Sequence, residues 1–98
     1  MQRRDEVLLL LRAHRDEFER RFGVRSLALF GSFARDTATE TSDVDLLVDF
    51  GRPPDFDLYM DAKLYLEDLL ERRVDLVTVG GLKPRLRPYV ERELIRVA

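Results

Sequence analysis

Three aspartates and one glycine-serine turn are the residues whose types and spacing can do chemistry. In "DVDLLVDF", Asp43, Asp45 and Leu47 share one parity while Val44, Leu46 and Val48 share the other, which is the pattern of a strand with one buried face. Side chains alternate across a strand, so Asp43 and Asp45 emerge on the same side with their carboxylates close together. Such a pair repels itself. Unless one member holds a proton it invites a cation, and an all-oxygen donor set suits Mg²⁺ or Mn²⁺. A third carboxylate, Asp75, stands in the apolar run "RVDLVTV".

Upstream, the strand-like "VRSLALF" runs into Gly31-Ser32. Without a Cβ at Gly31, backbone N–H groups can approach a ligand closely, and a helix starting there would aim its positive end at phosphate. Ser32 adds a hydroxyl and Arg35 a fork-shaped cation one turn along. Three acids from two strands can hold two divalent metals of the kind that flank the attacking and leaving oxygens in phosphoryl or nucleotidyl transfer. The turn would then grip the β- and γ-phosphates of a nucleotide while the acids present metal to its α-phosphate. The plain alternatives are a solvated acidic strand face and a surface ion pair of Arg35 with Asp36 or Glu40.

The elements that must position these groups follow from periodicity. Val7, Leu8, Leu11, Phe18 and Phe22 recur at helical spacing, so one amphipathic helix is expected from about Arg3 to Phe22, stopped by Gly23. A short helix follows Ser32. "GRPPDFD" breaks the chain, and Asp55 or Asp57 caps a helix running to about Arg72 with Leu58, Ala62, Tyr65, Leu66, Leu69 and Leu70 as its stripe. After the strand of Asp75 and the Gly80-Gly81 turn, a last helix starts at Pro84 and carries Leu86, Tyr89, Val90, Leu94 and Ile95. The expected order is α-β-α-β-α-β-α, an α/β (α+β) fold with a small mixed sheet of three to four strands flanked by helices. Tyr59, Tyr65 and Tyr89 are read as packing residues, and His14 as solvent-facing. Residues 1–98 read as a single domain, with no repeat or linker.

Composition narrows the function. The chain has 98 residues, 45% of them hydrophobic, with 17 Lys plus Arg against 19 Asp plus Glu and a net charge of −2. That is not the cationic body of a duplex-binding module, so nucleic acid is a possible but disfavoured partner. The absence of cysteine excludes a disulfide framework, Cys-ligated zinc and a thiol nucleophile. The apolar run Val7 to Leu11 is too short for a signal peptide or a membrane span, and a cytoplasmic location is expected.

"GSFARDTATETSDVDLLVDF", together with "RRVDLVTVGGLKPRLRPYVERELIRVA", resembles the signature of the polymerase-β-like nucleotidyltransferase superfamily and, more narrowly, its minimal nucleotidyltransferases (MNT). The resemblance spans essentially the whole chain. It implies ATP as substrate and two Mg²⁺ ions, with Asp43, Asp45 and Asp75 as catalytic metal ligands, Asp75 helping to deprotonate an attacking hydroxyl, and Gly31, Ser32 and Arg35 binding the triphosphate. It also implies an antitoxin role: AMP transfer to a tyrosine of a HEPN-type (higher eukaryotes and prokaryotes nucleotide-binding) toxin within a hetero-oligomer. Two other functions stay open, a binding-only antitoxin with a vestigial nucleotide site and a nucleotidyltransferase acting on an RNA 3′ end or tRNA. Many relatives carry Gly where this chain has Asp36, which places a negative charge near the triphosphate and a Cβ where backbone freedom is needed.

Overall fold

The computed structural model describes residues 3–97. Its elements are α1 (Arg4–Ala13), α2 (Arg15–Phe22), β1 (Ser26–Phe30), α3 (Gly31–Ala34), β2 (Val44–Asp49), α4 (Phe56–Leu70), β3 (Val74–Thr78), a 3-10 turn (Val79–Gly81), α5 (Arg87–Glu93) and β4 (Ile95–Arg96). The strands form one mixed sheet in the order β3-β2-β1-β4, with β1 antiparallel to both β2 and β4, and β2 parallel to β3. This is the expected α+β architecture, with four strands.

The sheet is asymmetric. One face carries Leu27 and Leu29 of β1, Val44, Leu46 and Val48 of β2, and Val74 and Leu76 of β3, all buried. They join Val7, Leu8 and Leu11 of α1, Phe18 and Phe22 of α2, and Ala62, Leu66 and Leu70 of α4 in a single core. On the opposite face, Asp45, Leu47 and Asp49 of β2 are only half-buried. Apolar helices on one side leave the other side free for polar chemistry.

Local chemistry sets the element ends. Asp55 caps α4 by accepting from Leu58 N at 2.8 Å, as its sequence position predicts. Gly23 closes α2 in the left-handed region at φ 66°. The expected single first helix is instead two, because the chain leaves helical geometry at His14 (φ −107°, ψ 10°), whose Nδ1 lies 3.0 Å from the Leu10 carbonyl. His14 is therefore half-buried at a helix junction rather than solvent-facing.

The last helix is also shorter than its periodicity predicts. Leu94 turns extended (ψ 134°), and Ile95 and Arg96 pair with Leu29 and Ala28 as the fourth strand. Val97 N then donates to Leu27 O at 2.8 Å. A backbone hydrogen-bonded to an otherwise open sheet edge outweighs another half-turn of helix. With α5 ending so early, Tyr89 is 67% exposed rather than packed, and Arg92 stacks over its ring at 5.8 Å.

Tyr59 and Tyr65 do pack against the core with their hydroxyls engaged. Tyr59 donates to the Leu76 carbonyl at 2.5 Å and Tyr65 to Glu17 at 3.1 Å. Among the described residues no helix is long and apolar enough to cross a membrane.

Leu66, 1% exposed, sits where α4 meets the rest of the core. Leu66→Ala is expected to cost about 2–5 kcal/mol of unfolding free energy through lost burial and a residual cavity, read from the midpoint of urea denaturation. A loss below about 1 kcal/mol would contradict this packing.

Candidate active site

The open sheet face gathers the predicted site residues at one end. Parallel pairing places Asp45 directly beside Asp75, and antiparallel pairing places it opposite Phe30, the residue before Gly31. Asp43 lies exposed just before β2, with the following Val44 N tied to Arg73 O at 2.9 Å. Strand register alone therefore converges Asp43, Asp45, Asp75 and Gly31.

Gly31 is the tightest point. Its φ is +74°, and a Cβ there would meet the Asp45 carboxyl carbon at 2.8 Å. Only glycine tolerates both that backbone conformation and so close an approach. The half-exposed Ser32 follows in the first turn of α3, which is only four residues long, so the expected helix-end field is slight. What the turn offers is the Gly31 N–H itself, the Ser32 hydroxyl and the guanidinium of Arg35. That guanidinium is near enough to Asp45 to draw its pKa down.

The carboxylates are crowded. Asp45 is pushed from 3.8 up to about 6, first by desolvation against the protein, then by the charge of Asp75, by a hydrogen bond with Asp75, and by the charge of Asp43. The charge of Arg35 opposes this only in part. Tyr59 is raised as well, by burial and by the nearby Asp75 and Glu67 charges. Among the described residues, no three acidic or histidine side chains are already arranged as ligands of one metal ion. The donors nonetheless fit a hard divalent cation: they are all oxygen, and beyond burial it is the negative charge of Asp75 and Asp43 that raises the Asp45 pKa, a repulsion that a bound cation would relieve.

Two contributors escaped the sequence reading. Arg72, just past α4, directs Nη1 at the carbonyls of Thr39, Glu40 and Ser42 at 3.3, 2.9 and 3.0 Å, while its guanidinium lies over the Phe33 ring at 5.0 Å. It thus pins the segment that delivers Asp43. Its only sequence signal is its place in "ERRVD". The other is Glu93 of α5, which accepts from Gly31 N at 3.1 Å and from Arg35 Nη1 at 2.7 Å. Arg35 therefore pairs with Glu93, not with Asp36 or Glu40.

Asp36 occupies the left-handed region at φ 60°. That is the backbone freedom for which glycine is the usual solution, and Asp tolerates it at a cost of roughly 1 kcal/mol. Asp49, which shares the parity of Asp45, accepts from Gly51 N at 2.7 Å and shapes the turn at the far end of β2.

Comparison with known proteins decides the family, because the nucleotidyltransferase domain matches residues 11–97. The chain belongs to the nucleotidyltransferase domain family. Among its relatives, the protein adenylyltransferase MntA of Thermococcus cleftensis is 44% identical over 93 residues, which span 95% of this chain and 94% of that protein. A solved minimal nucleotidyltransferase structure superposes with a TM-score of 0.74 at 45% identity, covering 90% of this chain and 93% of the other. A chain from the complex of a tri-AMPylated Shewanella oneidensis HEPN toxin with an MNT antitoxin matches at TM-score 0.69 and 19% identity, covering 93% of this chain and 71% of its own. At that identity the likeness carries the fold alone. It is the polymerase-β-like nucleotidyltransferase core, as the sequence led one to expect.

Within this nucleotidyltransferase, the raised pKa of Asp45 has a sign that can be tested without metal. The folded protein holds this proton more tightly than the unfolded chain, so stability falls as pH rises from about 4 to about 6, and the penalty is fully present above that. Asp45→Asn removes the charge and can still donate to Asp75. The variant is expected to be more stable than the parent at pH 7.5 in chelator, by about 1 kcal/mol once solvent screening of this half-exposed group is discounted, with the gain fading by pH 4. Thermal melts at the two pH values check this, and an equal effect at both would contradict the crowding.

Proposed function

We propose that this chain is a Mg²⁺-dependent protein adenylyltransferase that acts in the cytoplasm as an antitoxin, moving AMP from ATP to a tyrosine hydroxyl of a HEPN-type toxin in a hetero-oligomer. The observation that carries the reading is the pairing of Asp45 with Asp75 at one sheet position, against a Gly31 that only glycine can supply. Support also comes from the similarity to a protein named as a protein adenylyltransferase.

In this reading Asp43, Asp45 and Asp75 would hold the metal, two Mg²⁺ ions with Mn²⁺ as a substitute. When bound, the metal supplies charge neutralisation at the α-phosphate and at the departing pyrophosphate. Gly31 N–H, the Ser32 hydroxyl and Arg35 bind the β- and γ-phosphates and set the α-phosphate against the acids. The acceptor oxygen attacks the α-phosphorus, the bond to the β-phosphate bridging oxygen breaks, and pyrophosphate leaves. Asp75, exposed at the start of β3, takes the proton of the attacking hydroxyl. The acceptor itself comes from the partner, since the open face leaves room for a macromolecular substrate.

A second reading, a binding-only antitoxin, is favoured by α5 and the residue before it, which expose Tyr89 and Leu86 (67% and 44%) as an apolar patch. Intact-mass spectrometry of the cognate toxin after incubation with this protein, ATP and Mg²⁺ separates the two. Addition of AMP to the toxin by the parent, reduced at least about 100-fold by Asp43→Asn or Asp75→Asn, is the expected outcome. An unmodified toxin in a stable complex would overturn the transferase reading in favour of binding alone.

A further inference from the structure

The two groups assigned above to the triphosphate are already engaged by a side chain of the same protein. Glu93 Oε1 accepts from Gly31 N at 3.1 Å, and Glu93 Oε2 accepts from Arg35 Nη1 at 2.7 Å. A carboxylate bridging a backbone amide and a guanidinium presents the same pair of anionic oxygens that a phosphate would. The Gly31 amide has one proton, so it cannot serve Glu93 and a phosphate oxygen in full at the same time.

Nothing in α5 itself explains why an acid stands here. Glu93 is the last residue of the helix, where exposed carbonyls favour cations over anions. Its contacts run instead to residues 62 and 58 positions away. They are only partly shielded, with Arg35 54% and Glu93 23% exposed in their side chains. β4 holds the backbone just after Glu93, so the partly exposed carboxylate leaves by rotation of its own side chain and disturbs little of the core.

We infer that Glu93 is an intramolecular competitor for the phosphate subsite, a residue that sets the affinity for nucleotide because it must leave Gly31 and Arg35 before a triphosphate can take them. The inference rests on the reading of Gly31 and Arg35 as phosphate ligands. It adds a fourth acid to the site with a role opposite to that of the three aspartates: they attract the nucleotide's metal, while Glu93 occupies the place of its phosphate.

The test is the dissociation constant for ATP with Mg²⁺, measured by calorimetry without acceptor on the parent, Glu93→Gln and Glu93→Ala. The Gly31 amide is followed in parallel by ¹⁵N–¹H correlation spectra. Glu93→Gln keeps an acceptor for Gly31 while removing the charge, and thermal melts establish that each variant is folded. Both variants are expected to bind about three- to tenfold more tightly, in line with the loss of one charge-assisted contact. The Gly31 resonance should move on nucleotide addition in all three proteins. Equal affinities with a moving Gly31 resonance would leave the phosphate reading standing and overturn the competitor. Weaker binding in the variants would overturn it too, making Glu93 a support for Arg35. Absence of binding and of any Gly31 response in all three would overturn the phosphate reading and the inference with it.

Discussion

The close approach of the Asp45 carboxylate to the Cα of Gly31 is the constraint on which the rest of the site depends. It exists because β1 and β2 are antiparallel neighbours, with Phe30 opposite Asp45, so the turn leaving β1 folds directly over the acid on β2. A Cβ at residue 31 would have to displace either the acid or the turn. The contact sets the two halves of the proposed nucleotide site, the Gly31 amide and the acidic cluster, within one strand spacing of each other. It also removes solvent from Asp45, which is the leading cause of its raised pKa.

The remaining architecture holds that contact in place. The fully apolar parity of β2 is locked onto α1, α2 and α4, so a register slip that would hide Asp45 would also expose Val44, Leu46 and Val48. Arg72 fixes the segment before Asp43 from the side, gathering the carbonyls of Thr39, Glu40 and Ser42, of which Thr39 O also closes a turn by accepting from Ser42 N. Its Nε is buried without a partner, a local cost accepted for holding that segment. Asp36 likewise carries backbone strain at the exit from α3. Both costs fall beside the site, where local conflict with folding rules is most often found.

How much of this the sequence discloses depends on the range of the interaction involved. The Asp-x-Asp parity, the Gly-Ser turn, the Asp55 cap and the α4 stripe are local patterns, and the structure follows them. The helix break at His14 comes with a side-chain contact to the Leu10 carbonyl that the apolar spacing does not mark. β4 has two residues and no periodicity of its own, so only the free edge of β1 specifies it. Because β4 takes the chain after Glu93, the apolar spacing read as a longer helix leaves Leu86 and Tyr89 uncovered. Glu93 and Arg72 act across 30 or more residues, and a charged residue in a charge-rich segment carries no mark of so distant a partner.

In the free protein Asp45 is crowded by Asp75 and Asp43, and the proposed function makes this cluster the seat of a cation. The most direct measurement is a pH titration of the Asp45 side-chain carboxyl by ¹³C NMR, with and without saturating Mg²⁺. The account predicts a midpoint of about 6 without metal, and a fall below the ordinary carboxylate range once Mg²⁺ is present. A midpoint near 3.8 that Mg²⁺ does not move would contradict it, showing carboxylates that neither crowd one another nor share a cation.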